Sequence, residues 1–140
     1  EAILAGILDG TIDGICTAHE PCHEHEKQVE FDLAPAGIIG YETALSIVYE
    51  ELSLHEKDPF GLIVQTMSEN PRRILKTPYE GIAEGAKADF VVFDPSKNWQ
   101  YRLEKGVSVA RNTPFDGCTI KGSVAATFSM GKQVYSAIEV

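Results

Sequence analysis

The stretch DGTIDGICTAHEPCHEHEK, residues 9–27, decides how the rest of the chain is read. Residues 11–17 are short, β-prone and mostly apolar, and they run straight into a polar cluster. That cluster sets Cys16, His19, Cys22, His23 and His25 among Glu20, Glu24 and Glu26. A strand that delivers polar side chains at its C-terminal end is the pattern of α/β active sites, where function collects at strand ends. The expectation is therefore an α/β chain with its chemistry after residue 16. Ala18 breaks the pattern, because it stands where an acid would be wanted.

Upstream, EAILAGILDG places Ile3, Leu4, Ile7 and Leu8 on one helical face and stops at Gly10. The chain opens on Glu1 and is expected to begin inside or at the edge of a helix, as a piece of a longer protein would. An ordinary N-terminal helix left after processing is the other reading. Downstream, residues 28–40 read as loop, with Pro35, Gly37 and Gly40. YETALSIVYEEL, residues 41–52, predicts a helix with Ala44, Leu45, Ile47, Val48 and Leu52 inward. In DPFGLIVQTM, Asp58 is the expected N-cap and Pro59 the first helical residue. Phe60, Ile63, Val64 and Met67 then follow at i, i+3, i+4, i+7. Asn70-Pro71 is expected to open a further short helix through Leu75.

After residue 78 the texture changes. Turn residues in EGIAEGAKAD lead to an apolar run at 90–93, closed by Asp94-Pro95. Trp99, Tyr101 and Leu103 alternate in period two, as do Val124, Ala126 and Phe128, and Gly131 marks a hairpin turn before KQVYS. The second half reads as a small sheet.

At 140 residues with net charge −9, the chain has the size of one domain. Its acids are spread along the sequence, which argues against nucleic acid or an anionic membrane as the main partner. No apolar run approaches the roughly 20 residues of a membrane span. Cys16, Cys22 and Cys118 are an odd count without scaffold spacing, which points to a reducing, cytoplasmic setting.

The cluster at 16–25 has three readings: a self-contained structural zinc site, a polar surface loop, or a loop completing an active site whose other parts lie elsewhere. Structural zinc sites join two ligand pairs separated by a dozen or more residues. Here all five candidates lie within ten residues, with only His55 and Cys118 as further soft ligands. The spacing favours the active-site loop. A metal-activated water needs an acid to take its proton, and alanine cannot serve. Glu20 is two residues further on, with doubtful reach. Cys22, between Pro21 and His23, is either a thiol activated by its neighbour or an inert one, the second being the simpler reading. Gly37-Ile38-Ile39-Gly40 lacks the context of a dinucleotide loop and reads as a turn bringing backbone close to something. Residues 111–115 read as an extended crossing segment, with Arg111 as a salt-bridge partner.

Taken together, these stretches resemble dihydroorotases of the amidohydrolase superfamily. DGTIDGICTAHEP resembles the last barrel strand of that family. APAGIIGYETAL, SENPRRIL, GIAEGAKADFVVFDPSKNWQY and RNTPFDGCTIKGSVAATFSMGKQVY are similar to its later segments, so the likeness runs along essentially the whole chain. The ADFVVFDP block points only to amidohydrolases; GYETAL with RNTPF points to dihydroorotase over its hydantoinase relatives. The resemblance implies the C-terminal part of a (β/α)₈ barrel plus strands of a small β-sandwich. Residues 1–77 would be the last barrel strand and its helices, and 78–140 the sandwich segment. It implies interconversion of N-carbamoyl-aspartate and dihydroorotate in pyrimidine biosynthesis, with zinc in the parent family and none expected in this chain alone. The family's catalytic aspartate falls on Ala18, and the histidine that helps hold the substrate carboxylate falls on Cys22. The loop whose backbone meets the substrate falls on Pro35, Ala36 and Gly37, and is kept. Chemistry in this chain alone would then be incomplete, and the alternative is a non-catalytic partner of aspartate transcarbamoylase. A lone barrel strand is further expected to drive homo-oligomerisation, strand exchange or a rearranged α+β fold.

Overall fold

The computed structural model describes residues 1–78 and 81–137. Glu80, at the head of the expected turn stretch, and the end of the expected sandwich segment lie outside the described residues. The fold is a mixed α/β arrangement with helices in the first half and an antiparallel sheet in the second.

Helix α1 (Ala2–Leu8) turns Leu4 and Ile7 toward the core. A single helical turn, α2 (Glu24–Lys27), follows the His-rich stretch; its cap residue His23 donates its N–H to Glu26 Oε2 at 2.7 Å. Helix α3 spans Ala44–Ser53 and starts three residues later than expected, because the N–H groups of both Thr43 and Ala44 close onto the Gly40 carbonyl. Of the five residues expected inward, only Leu52 is fully buried; the deepest face is Ser46, Tyr49 and Leu52. That stripe follows i, i+3, i+6, and its polar and aromatic members carry no simple hydrophobic signal.

Asp58 caps the next helix, accepting from Gly61 N–H at 3.0 Å, with Pro59 in the first turn as expected. The short helix expected to open at Asn70-Pro71 is present, but nothing separates it from the helix before it. Helix α4 (Pro59–Val64), a π-helical segment (Gln65–Glu69) and α5 (Asn70–Ile74) run on as one rod. The wider π turn explains the continuity: it absorbs Pro71, which has no N–H to give and would crowd an α-helical carbonyl. It also turns the buried face, so that Thr66 and Asn70 point inward while Val64 is largely exposed.

Strands β1 (Phe90–Gln100), β2 (Thr119–Ser129) and β3 (Lys132–Ser136) form an antiparallel sheet in that order. Strand β1 does not stop at Asp94-Pro95. The ladder skips there by bulging between Asp94 and Asn98. Asp94 accepts from the backbone and hydroxyl of Ser96, which holds its carboxyl below the usual range, and Pro95 sits in the bulge where no ladder donor is needed. Met130 and Gly131 both take positive φ, as the tight turn from β2 to β3 requires.

Helix and sheet meet through Tyr49, Phe60 and Phe93, whose ring centroids lie 5.0–5.8 Å apart. Gly122 makes that approach fit. Its φ is +82°, and a Cβ there would stand 2.3 Å from the Phe93 ring. Tyr101 is buried at the end of the sheet; burial, then the carboxylates of Glu42 and Asp116, push its hydroxyl upward.

Candidate active site

Residues 11–17 are not a ladder strand: among the described residues no other strand pairs with them. Backbone and side chains of the helices hold the segment instead. Ile12 N–H donates to the Gly6 carbonyl at 2.8 Å, and Ile15 N–H to the Thr66 carbonyl at 3.0 Å. The second bond exists because of the π turn. Asn70 N–H reaches back to Gln65, and Pro71, next in line, has no N–H, so the Thr66 carbonyl has no helical donor. The Asn70 side chain adds a bond from Nδ2 to the Asp13 carbonyl at 2.8 Å. Gly14 lies between them, with Thr66 and Pro71 at the position a side chain would need. At the start of the segment, hydrogen bonds from Thr11 hold the Asp9 carboxyl below the usual range.

The far end of the segment docks onto the loop before α3. Glu20 N–H donates to the Ile38 carbonyl at 3.0 Å, and Gly40 N–H to His19 Nδ1 at 3.1 Å. The His19 ring lies flat on Tyr41, centroids 4.0 Å apart. Ala18 comes just before these anchors with φ +41°, left-handed backbone that asparagine, aspartate and glycine adopt more readily than alanine. Its side chain is an exposed methyl, with no proton to move.

Loop 35–37 is pinned from its carbonyl side. Lys27 Nζ donates to the carbonyls of Pro35 and Gly37, the latter at 3.0 Å. Asn112 adds a bond from Nδ2 to Gly37 O at 3.4 Å. The N–H groups of Ala36, Gly37 and Ile38 meet no acceptor among the described residues, so this loop offers open backbone donors. Gly37 has φ +93°, and a Cβ there would stand 2.6 Å from Glu20 Cβ. Only glycine fits.

Cys22 is half-buried beside the same hub, its N–H donating to Asn112 Oδ1 at 3.3 Å. So Cys22 and Gly37 are brought together through Asn112, and Ala18 is tied to the same loop through His19 and Glu20. His55 and Cys118 lie elsewhere: His55 faces Glu51, and Cys118 faces the Pro114 carbonyl. A pocket of about 430 Å³ opens beside Cys22, bounded by His23, Glu24, Glu26, Val109 and Arg111. Arg111 is in neither of the ion pairs found among the described residues, His55–Glu51 and Arg73–Asp13, so the expected salt bridge is absent; it borders this pocket instead. Asn112 is the residue that sequence reasoning missed, 90 positions from Cys22 and without a periodic signal.

The donor set at this site does not fit a metal ion. A neutral imidazole that accepts at Nδ1 carries its proton on Nε2, so His19 has no free lone pair to offer. Position 18 offers a methyl. His23 and His25 stack on each other at 5.4 Å, and no three His, Cys, Asp or Glu side chains converge as ligands among the described residues.

Helices lead into an antiparallel sheet, with a polar loop cluster at the end of an extended segment. The profile of the Amidohydrolase family matches residues 1–134, and the chain belongs to that family. The relatives it resembles in sequence are dihydroorotases. That of Geobacter sp. (strain M21) is 42% identical over 139 residues, 98% of this chain and 32% of the relative. That of Elusimicrobium minutum (strain Pei191) is 41% identical over 132 residues, 94% of this chain and 31% of the relative. The chain thus spans about a third of the length of these relatives. Among solved structures, D-hydantoinase (dihydropyrimidinase) from Thermus sp. superposes with TM-score 0.83 at 21% identity, over 96% of this chain and 31% of its own. Dihydropyrimidinase from Brevibacillus agri NCHU1002 gives 0.84 at 22% identity, with the same coverage. These structures share the fold.

Proposed function

We propose that this chain is the C-terminal third of a dihydroorotase-like amidohydrolase. In this reading the full-length protein is a cytoplasmic, zinc-dependent enzyme that interconverts N-carbamoyl-aspartate and dihydroorotate in pyrimidine biosynthesis. Residues 1–77 supply the last barrel strand with its helices, and 78–140 supply sandwich strands. The observation that carries the reading is loop 35–37, whose Pro35 and Gly37 carbonyls are held by Lys27 and Asn112 while its N–H groups, unpaired among the described residues, can face an anionic, amide-bearing ligand. What this chain contributes is a ligand-facing backbone. It does not contribute the proton transfer, because Ala18 has no acid.

A second reading is favoured by one specific observation. By the family resemblance Ala18 and Cys22 fall where a catalytic acid and a carboxylate-holding histidine are expected, while the bonds around them, from Cys22 N–H to Asn112 and from Gly40 N–H to His19, are in place. In that reading the full-length protein is a non-catalytic homo-oligomer that assembles with aspartate transcarbamoylase. One experiment separates the two. The full-length protein is assayed for dihydroorotate hydrolysis as it stands and with Ala18→Asp plus Cys22→His. Restoring a general base is expected to raise the rate by about 10²–10⁴-fold, with turnover abolished by a chelator. Failure to gain any turnover, together with co-elution with aspartate transcarbamoylase, supports the second reading and sinks the first. The 140-residue chain alone is expected to show no turnover, and a chelator-sensitive rate there would overturn that expectation.

A further inference from the structure

Among the described residues, the Pro35 and Gly37 carbonyls of the ligand-facing loop are bonded by two side chains, and one of them arrives from the far end of the sequence. The Asn112 side chain makes three hydrogen bonds to two backbone segments, one at Glu20 and Cys22 and one at Gly37. Its Oδ1 accepts from Cys22 N–H at 3.3 Å. Its Nδ2 donates to the Glu20 carbonyl at 2.7 Å and to the Gly37 carbonyl at 3.4 Å. Its own carbonyl accepts from Ile39 N–H at 3.1 Å. No other residue type offers a donor pair and an acceptor on one short planar group. Aspartate would set a second oxygen against two carbonyl oxygens, and leucine would leave the half-buried Cys22 N–H and one bond to the Gly37 carbonyl unmade.

The segment that carries Asn112 is itself fixed. Glu42, just ahead of α3, accepts from the N–H groups of Val107 and Ser108 at 3.2 and 3.0 Å. The crossing segment is therefore tied at one end to the helix that follows the loop, and through Asn112 to the loop itself. On the opposite side Lys27 grips the Pro35 and Gly37 carbonyls. Asn112 and Lys27 both donate to the Gly37 carbonyl, which fixes the plane of the Gly37–Ile38 peptide and with it the direction of the Ile38 N–H.

We infer that Asn112 is a positioning residue: it sets the orientation of the Gly37 and Cys22 peptides, so residues 106–113 complete a ligand site built mainly from residues 18–40. For the identity of its ligand this rests on the dihydroorotase-like reading above. The test uses the full-length protein in the Ala18→Asp, Cys22→His background. Asn112→Ala is expected to raise the KM for dihydroorotate about tenfold, the cost of about one buried hydrogen bond, with kcat within about threefold. Amide exchange at Cys22 is expected to accelerate by a similar factor while Ile120 in β2 is unchanged. Asn112→Asp keeps the shape and the acceptor for Cys22 but loses both donors; it should show the same rise in KM with Cys22 protection retained. A space-filling role predicts instead that Asn112→Asp behaves as the parent, and that result overturns the inference. If Asn112→Ala does not fold, Asn112→Asp decides alone. If the background itself turns nothing over, the dihydroorotase-like reading fails, and exchange at Cys22 in Asn112→Ala still decides the positioning role: unchanged exchange overturns it.

Discussion

The sheet and the candidate site are built on opposite principles. From residue 90 to 136 the strands bond to one another, and each ladder bond has neighbours of the same kind. From 11 to 40 the backbone is held by a handful of bonds to residues far away: Asn70 is 57 positions from Asp13, and Asn112 is 92 from Glu20. A ladder spreads its geometry over many equivalent bonds and absorbs bulges at Asp94 and Thr127 without losing the sheet. The site concentrates its geometry in three side chains. Single atoms therefore matter more in the loops than in the strands, except where helix and sheet touch.

That exception should give the largest effect. Gly122→Ala places a methyl into the Phe93 ring at a positive φ, and is expected to destabilise the chain by about 3 kcal/mol in urea unfolding. A loss under about 1 kcal/mol, within the range of an ordinary surface change, would show that the sheet can shift away from α3 and that the contrast is overdrawn. Asn70→Ala tests the other side. It removes the bond to Asp13 in a buried setting and should cost about 1.5 kcal/mol. Amide exchange at Ile15 should rise while β2 amides stay protected; equal acceleration in both would mean that the two regions open as one. The smallest effect is expected at Ala18. Ala18→Asn relieves left-handed strain and should stabilise by about 0.5 kcal/mol, read as a slightly higher melting temperature. A lower melting temperature would argue that the strained backbone at position 18 depends on the methyl.

Much of this contrast is visible in the residues, but unevenly. The sheet announces itself through period-two alternation at Val124, Ala126 and Phe128 and through Gly131, because a strand's burial pattern is local. The caps at Asp58 and Pro59 are legible for the same reason. Residues 11–17 have strand composition but no ladder, since composition reports burial and propensity while pairing needs a neighbour. Asn70-Pro71 reads as the start of a short helix because proline suits a first turn, and a helix does begin there; that a π turn joins it to the preceding helix is not signalled locally. At the site, Ala18, Cys22 and loop 35–37 are identifiable by resemblance, and the structure joins them through shared partners. Asn112 and Lys27 are not identifiable, because one polar residue in a loop looks like any other until its distant partners are placed.

The π turn has one more consequence. The only helical N–H that could reclaim the Thr66 carbonyl is that of Asn70, which is committed to Gln65 as long as the π register persists. Tightening this turn to α geometry would bring that N–H to Thr66 as well, where it would share the carbonyl's two lone pairs with Ile15. Docking of the extended segment and the register of the helix thus meet at one acceptor. Release of the segment that ends in Ala18 and His19 would leave the Thr66 carbonyl open to rewinding of residues 65–70.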